Sequence, residues 1–306
     1  MEAIDDCRQR VFKKLWTHYY DLVPYAPKIE ADFKAKKDAW IEDHVAYRTL
    51  PGENTGKHVL QEAFEALGYK REDDYHFEEK NLDAFWMSPP DNQGESYEAS
   101  PKIFISELMA EKFSQEFQDT VHEITKEVRV SPLPAIRDLL AKVKAGDESA
   151  KDGLVDHLTA LLTEGPAWSR PSKGRYHILK SESDYAAWTY LFGHQINHFT
   201  VSVHLMDSFS SIQSLGEYLE GELNIPMNHS GGLVKGTAEI KLEQIATMAV
   251  KRPFTFQDGI EDVSYGFVEF AKRYPLEGRS DDHKWQSYYQ GFVAANADKI
   301  FESTYK

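Results

Sequence analysis

Residues 43–49, DHVAYRT, hold the pattern from which a fold can be inferred, because a related stretch, INHFTVSV, returns at residues 196–203. Each stretch sets an acidic or amide residue before a histidine and continues with residues typical of a strand. Each half of the chain then continues as helix and strands and ends in a short apolar strand with a glutamate, Glu107 or Glu269. Two vaguely similar halves can arise by chance, but the matched order of histidine and glutamate favours a structural repeat.

The hydrophobic periodicity divides the chain into five segments, which we expect to form a single domain. They are a helical N-terminal segment (1–40), a first strand-rich module (41–108), a helical insertion (109–194), a second strand-rich module (195–275) and a helical tail (276–306). Within the insertion, the pattern predicts helices over residues 113–128, 133–143 and 150–162. Within the modules, it predicts strands over residues 82–87, 103–108 and 267–270.

The composition is that of an acidic globular protein. Lys and Arg number 35 against 50 Asp and Glu, and the net charge of −15 argues against a nucleic acid or an anionic membrane as partner. No apolar run approaches the ~18 residues of a membrane span, and the N-terminus lacks the basic start of a secretory signal. The single cysteine, Cys7, can form neither an intrachain disulfide nor a thiolate zinc site. We therefore expect a cytoplasmic protein.

Three residues on predicted strands, His44, His198 and Glu269, form a suitable ligand set for a divalent metal. Imidazole nitrogens and a carboxylate bind Fe(II), Mn(II), Co(II) or Zn(II), and a set of two histidines and one carboxylate leaves positions open for substrate and oxygen. A lone buried histidine is more often a hydrogen-bonded core residue than a ligand. The equivalent placement of these residues in the two halves favours metal binding.

His194 and His204 compete locally with His198 for this role. His194 would share a face with His198 only on a helix, whereas the sequence there predicts a strand. His204 would share its strand face but lie about 20 Å along it, too far for one ion. The other histidines show no metal-like grouping, and the sequence contains no GxSxG, GxGxxG or CxxC motif.

Two polar side chains are candidates for binding a substrate. Arg48 follows His44 by four residues, which places both on one strand face about 13 Å apart. A guanidinium on an inner face needs an anionic partner, either a protein carboxylate or a substrate acid. Gln244, in the strand-like stretch LEQIAT (242–247), either orients a substrate carbonyl or carboxylate or occupies the polar face of its strand.

The motifs DHVAYRT (43–49), INHFT (196–200) and VEFAKR (268–273) resemble those of the 2-oxoadipate dioxygenase/decarboxylase family. That family belongs with the vicinal-oxygen-chelate, or glyoxalase-like, proteins, whose modules are βαβββ. The resemblance covers about residues 40–275. It implies an α+β fold in which two such modules form a curved mixed sheet around a metal site.

Carried over residue by residue, the resemblance implies that His44, His198 and Glu269 bind Fe(II) and that Arg48 holds the 2-oxo acid. It implies the conversion of 2-oxoadipate and O₂ to 2-hydroxyglutarate and CO₂, a reaction of lysine catabolism. Zinc, nickel or manganese can occupy such a site in a purified sample. Longer members have additional C-terminal sequence that helps to close the pocket, whereas this sequence ends at Lys306, so the native substrate stays open.

Two other classes of function are compatible with the sequence. A glyoxalase-type lyase, isomerase or hydrolase on the same fold would use a non-redox ion and a fourth protein ligand, for which Glu107 is the candidate. A non-catalytic binding protein would take up no metal and would pair Arg48 permanently with a protein carboxylate. The sequence leaves the oligomeric state undetermined.

Overall fold

The structure, a computed structural model, describes residues 2–165 and 167–304. Met1 of the predicted N-terminal segment, Pro166 of the predicted insertion and the last two residues of the predicted tail lie outside the described residues. None of the helices in the described part of the chain is both long and apolar enough to cross a membrane.

The described residues form ten strands and ten α-helices. The strands are β1 (Glu42–Thr49), β2 (Lys70–Phe77), β3 (Leu82–Ser88), β4 (Lys102–Leu108), β5 (Ile196–Ser202), β6 (Lys235–Thr237), β7 (Leu242–Ala246), β8 (Lys251–Phe256), β9 (Gly259–Ser264) and β10 (Phe267–Arg273). The helices are α1 (Glu2–Leu22), α2 (Tyr25–Ala35), α3 (Gly56–Glu65), α4 (Gln115–Lys126), α5 (Leu133–Lys144), α6 (Ser149–Thr163), α7 (Lys173–Glu182), α8 (Asp184–Phe192), α9 (Ile212–Gly221) and α10 (Ala294–Phe301).

The sheet topology contains the predicted repeat. Eight strands form one mixed sheet in the order β2-β3-β4-β1-β5-β10-β7-β6. The two central strands, β1 and β5, are antiparallel; β4 is parallel to β1 on one side, and β10 is parallel to β5 on the other. The first half is therefore β1-α3-β2-β3-β4 and the second is β5-α9-β6-β7-β10, with the hairpin β8-β9 inserted before its last strand. The α+β fold of two βαβββ modules is confirmed.

Helices cover the outer face of this sheet, the face that carries Val45, Phe199 and Phe270. The ring of Phe199 lies 4.0 Å from that of Trp16 on α1, and Phe270 packs against Phe33 on α2. Because both faces of the central strands are covered, every residue from Asp43 to Thr49 and from Ile196 to Ser202 is buried. This burial explains why these two strands lack the clean alternation of apolar and polar residues.

The inner face, which carries His44, His198 and Glu269, is covered by α8 and by the C-terminal segment, the described residues 274–304 that follow β10. The ring of Phe292 lies 4.7 Å from that of His44 and 4.8 Å from that of Phe104 on β4. On α8, the Tyr185 hydroxyl donates a 2.6 Å hydrogen bond to the carbonyl of Ser106. The inner face is thus a closed interior rather than an exposed sheet surface.

Several elements differ from the sequence expectations. Strand β2 and the hairpin β8-β9 were not predicted, because they lie largely exposed and carry many charged residues. Helix α7 was not predicted either, and its apolar residues are too few for a clear helical period. Strand β5 ends at Ser202, and His204 lies in the 3₁₀ turn after it, so the prediction that His204 continues the strand face is wrong.

Candidate metal centre

Three adjacent strands bring the predicted ligands together on the inner face. In the strand pairing, His44 on β1 is opposite Thr200 on β5, and Thr200 is opposite Glu269 on β10. The two carboxylate oxygens of Glu269 lie 3.6 Å from Nε2 of His44 and 3.4 Å from Nε2 of His198. One ligand atom from each of the three residues lies within 4.8 Å of the others, a spacing that one metal ion can bridge.

Each histidine is oriented by the residue that precedes it in sequence. Nδ1 of His44 lies 2.8 Å from Oδ1 of Asp43, and Nδ1 of His198 lies 3.0 Å from Oδ1 of Asn197. Because both partners are acceptors, each Nδ1 carries the proton and each Nε2 presents a lone pair toward Glu269. In this structure the lone pair on Nε2 of His44 accepts from the hydroxyl of Thr200 at 3.1 Å.

A buried ion-pair cluster anchors Asp43. Arg273 donates two hydrogen bonds of 2.6 and 2.8 Å to its carboxylate, and Nζ of Lys102 lies 3.4 Å from it. Burial alone would raise the pKa of Asp43, but Arg273 and Lys102 hold it well below its usual value. Arg273 also donates to the carbonyls of Tyr289 and Gly291. Asp43 is therefore a fixed anion that holds the imidazole of His44 in place.

Burial sets the protonation of the ligands when no metal is bound. The exposed fractions are 2 % for His44, 5 % for His198 and 1 % for Glu269. Burial lowers the pKa of His44 to about 4 and lowers the pKa of His198 well below its usual value. Burial also raises the pKa of Glu269 to about 8. At neutral pH the three side chains are therefore largely uncharged until a cation binds.

The donor set fits a divalent transition metal. Two neutral imidazoles and one carboxylate are the ligands of open non-heme iron sites, and they also accept manganese, cobalt or zinc. A bound cation would stabilise the ionised form of Glu269, which burial alone disfavours. With three protein ligands, an ion that prefers six would have positions open for a substrate and a further small molecule.

Gln244, predicted to bind substrate, contacts a ligand instead in this structure. Its side-chain amide donates a 2.6 Å hydrogen bond to Oε1 of Glu269, and its carbonyl oxygen accepts a 3.2 Å bond from Asn296 on α10. These bonds fix the orientation of the Glu269 carboxylate and link it to the C-terminal helix. A contact between Gln244 and substrate stays a prediction.

Arg48 lies on β1 in a pocket of aromatic rings. Its guanidinium carbon is 5.2 Å from the ring centre of Tyr185, 5.1 Å from that of Trp188 and 5.3 Å from that of Phe301. One guanidinium nitrogen is 3.5 Å from the hydroxyl of Thr304. Cation–π contacts of this kind hold a buried guanidinium without neutralising its charge.

The structure does not bring Glu107 to the metal centre. Its carboxylate accepts a 2.7 Å hydrogen bond from the main-chain N–H of Lys57, in the first turn of α3. Glu107 is aligned with Thr49, five residues along β1 from His44 and thus about 17 Å away along the strand.

The register of the parallel pairs explains why Glu107 is not the counterpart of Glu269. On β10, Glu269 is aligned with Thr200, two residues after His198. The residue two positions after His44 is Ala46, and the residue aligned with it on β4 is Phe104. The prediction that equated the two glutamates is therefore wrong, because they stand at different positions in the two halves.

Two residues that position the ligands went unpredicted. Asp43 was noted only as the acidic residue before His44, although the same position in the second half, Asn197, makes the same contact. Arg273, at the end of the VEFAKR motif, is the anchor of Asp43.

Comparisons with known proteins agree with this architecture. The profile of the 2-oxoadipate dioxygenase/decarboxylase family matches residues 16–283. The 2-oxoadipate dioxygenase/decarboxylase, chloroplastic/amyloplastic, of Oryza sativa subsp. japonica is 34 % identical over 273 residues, which are 86 % of this chain and 68 % of that protein.

Two solved structures are similar over nearly the whole chain. The hydroxyglutarate synthase from Oryza sativa, in complex with 2-oxoadipate, is 29 % identical with a TM-score of 0.79, covering 99 % of this chain and 94 % of that one. A glyoxalase superfamily protein from Ralstonia eutropha has the same fold, with a TM-score of 0.75 at 23 % identity, covering 95 % of this chain and 86 % of that one. This chain belongs to the 2-oxoadipate dioxygenase/decarboxylase family.

Proposed function

We propose that this protein is an Fe(II)-dependent dioxygenase that converts 2-oxoadipate and O₂ into 2-hydroxyglutarate and CO₂. The observation that carries the proposal is the buried group of His44, His198 and Glu269, whose ligand atoms lie within 4.8 Å of one another in a chain of this family. A relative from Oryza sativa, similar over nearly the whole chain, was solved with 2-oxoadipate bound.

The ligand set supports iron as the cofactor. His44, His198 and Glu269 would hold the ion through two Nε2 atoms and a carboxylate. Bound Fe(II) would supply the redox chemistry that allows O₂ to react with a 2-oxo acid. The protein supplies the orientation of these ligands, through Asp43 and Asn197 behind the two imidazoles.

Arg48 is the residue that we propose binds a carboxylate of the substrate beside the metal. It lies on the same strand as His44, and the rings of Tyr185 and Trp188 exclude water from its guanidinium. A charge-assisted hydrogen bond is shorter and roughly twice as strong as a neutral one, and a guanidinium can bind a carboxylate through two nitrogens. Arg48 therefore orients the acid relative to the metal ligands.

The closed inner face supports chemistry that must exclude water. The three ligands are at most 5 % exposed, and the ring of Phe292 packs against that of His44. Exclusion of water strengthens the charge interactions inside the site and protects reactive species from hydrolysis. Because the ring of Phe292 packs directly on His44, we expect the C-terminal segment to move when a six-carbon acid enters.

The glyoxalase-type alternative loses its main support in this structure. Such a site was expected to recruit Glu107 as a fourth ligand, and the carboxylate of Glu107 instead accepts the N–H of Lys57 at the start of α3. Among the described residues, the group of side chains that could hold a metal ion consists of His44, His198 and Glu269. A three-membered set favours the dioxygenase, which needs open positions for both the 2-oxo acid and O₂.

The test is anaerobic reconstitution of the protein with Fe(II), followed by measurement of oxygen uptake with a panel of 2-oxo acids. We expect uptake with 2-oxoadipate, and we expect His198→Ala to retain neither iron nor activity. Glu107→Gln is the matched control, a change on a neighbouring strand that should leave the iron content unchanged. Iron-loaded wild-type protein that consumes no oxygen with any 2-oxo acid would contradict the proposal.

A further inference from the structure

A lysine outside the predicted set lies in the wall of the site. Lys235 on β6 is directly opposite Gln244 on β7. Directly opposed residues of an antiparallel pair have their side chains on the same face of the sheet. Gln244 donates to Glu269, so this face is the inner face with the metal ligands. Lys235 therefore lies on the inner face, two strands away from Glu269.

The ammonium group of Lys235 is buried and forms no direct ion pair with a carboxylate of the described residues. Lys235 is 4 % exposed, and its Nζ donates to the main-chain carbonyls of Asn228 and Leu233. The carboxylates of Glu269 and Glu302 raise its pKa electrostatically, but neither is in direct contact with it. Burial lowers the pKa of Lys235 to about 8, so most of the population is still charged at neutral pH. A buried ammonium group whose direct hydrogen-bond partners are neutral carbonyls gains stability when an anion contacts it.

Three other buried basic side chains of the described chain contact a carboxylate directly. Arg273 and Lys102 both contact the carboxylate of Asp43. Arg8, near the N-terminus, contacts the carboxylates of Asp5 and Asp91. Lys235 therefore differs from these directly paired side chains, and its place on the inner face with Glu269 puts it where an anionic ligand could contact it.

We propose that Lys235 binds the carboxylate at the far end of the substrate and makes the site selective for 2-oxo dicarboxylic acids. The proposal rests on the proposed function, because the near end of the acid is taken to lie at the metal ligands. Two steps between strands separate β10 from β6 by about 10 Å. A six-carbon acid spans roughly 6 Å between its end carbons, and the lysine side chain covers the remainder.

The arrangement provides one cation for each carboxylate. Arg48 lies on β1, and Lys235 lies on β6, with the strand of Glu269 between them. A monocarboxylic acid of the same length would bring a methyl group to Lys235 and leave the ammonium unpaired. Discrimination between two such acids is large when one of them leaves a buried polar group without a partner.

The experiment compares 2-oxoadipate with 2-oxohexanoate, which carries a methyl group in place of the far carboxylate. Binding of each acid to Fe(II)-loaded protein is measured by calorimetry without oxygen, so that no turnover occurs. We expect Lys235→Met to weaken 2-oxoadipate binding by about 10- to 100-fold and to leave 2-oxohexanoate binding unchanged. Lys235→Arg should restore part of the preference, and Lys299→Met, which removes a nearby half-exposed charge, should change neither acid.

Each outcome bears on the proposal. Equal weakening of both acids by Lys235→Met would assign the lysine a structural role only, and wild-type protein without a preference for 2-oxoadipate would also overturn the proposal. Lys235→Gln provides the same comparison if the methionine variant does not fold. Tight, Lys235-dependent binding of 2-oxoadipate without oxygen uptake in air would contradict the proposed function while leaving the assignment of Lys235 intact.

Discussion

Replacement of Asp43 by Asn tests how the metal centre is held together. The carboxylate of Asp43 accepts from His44, receives two hydrogen bonds from Arg273 and lies 3.4 Å from Nζ of Lys102. Asparagine has nearly the same shape but no charge. The variant therefore removes the anion from a buried cluster and leaves its two cations in place.

The expected loss of stability is large. Breaking a buried ion pair by removal of one partner costs about 3–5 kcal/mol, because the remaining charge is uncompensated. Whole domains are stable by only about 5–15 kcal/mol. The affinity for metal should fall as well, by about 10- to 100-fold, because the orientation of His44 depends on this partner.

Two measurements separate these effects. Urea denaturation of metal-free protein gives the free energy of unfolding, and titration against a chelator gives the metal affinity. Asn197→Ala is the matched control, because Asn197 holds His198 as Asp43 holds His44 but is itself neutral. It should weaken metal binding by a similar factor and cost less stability. The double variant Asp43→Asn, Arg273→Met should be destabilised by less than the sum of the single variants.

The reasoning would be refuted by an Asp43→Asn protein with the stability and metal affinity of the wild type. Loss of stability with unchanged metal affinity would show that the cluster is structural and that His44 keeps its orientation without it.

Three further predictions concern two charged groups of the site and Glu107, which lies outside it. Metal uptake at pH 7 should release close to one proton, because burial raises the pKa of Glu269 to about 8. The apparent metal affinity should then fall about tenfold for each pH unit below that value. Calorimetry in buffers of different ionisation enthalpy measures the released proton, and a metal affinity that does not change between pH 6 and pH 8 would contradict the prediction. Arg48→Met should keep the iron and raise the KM for 2-oxoadipate by about 10- to 100-fold, and a kinetically silent variant would remove the proposed substrate contact. Glu107→Gln should lower stability by about 1 kcal/mol through its contact with α3, and loss of iron in that variant would show that Glu107 belongs to the site after all.

The sequence identified the parts of the site that strand pairing alone brings together. His44, His198 and Glu269 stand at fixed positions on three neighbouring strands, so their order along the chain and the apolar residues around them were sufficient. The prediction for Glu107 was wrong because a glutamate in a similar apolar strand does not reveal how that strand is aligned with its neighbour. A shift of a few residues along β4 places its carboxylate at a helix N-terminus instead.

The remaining residues depend on contacts between distant segments. Arg273 reaches Asp43 across 230 positions, and Asn296 reaches Gln244 from a helix near the end of the chain. Lys235 lies on a three-residue edge strand whose pairing with β7 cannot be inferred from composition. Such contacts follow from the closure of the C-terminal segment over the inner face, which no local pattern encodes.

The most direct test of the proposed reaction is the fate of labelled oxygen. Fe(II)-loaded protein is supplied with 2-oxoadipate and ¹⁸O₂, and the products are analysed by mass spectrometry. Loss of CO₂ removes two oxygens from the substrate, and 2-hydroxyglutarate has as many oxygens as 2-oxoadipate, so both atoms of one O₂ must enter the product. We expect one CO₂ and one doubly labelled 2-hydroxyglutarate for each O₂ consumed. Unlabelled 2-hydroxyglutarate, or turnover of 2-oxoadipate without oxygen consumption, would contradict the proposed dioxygenase.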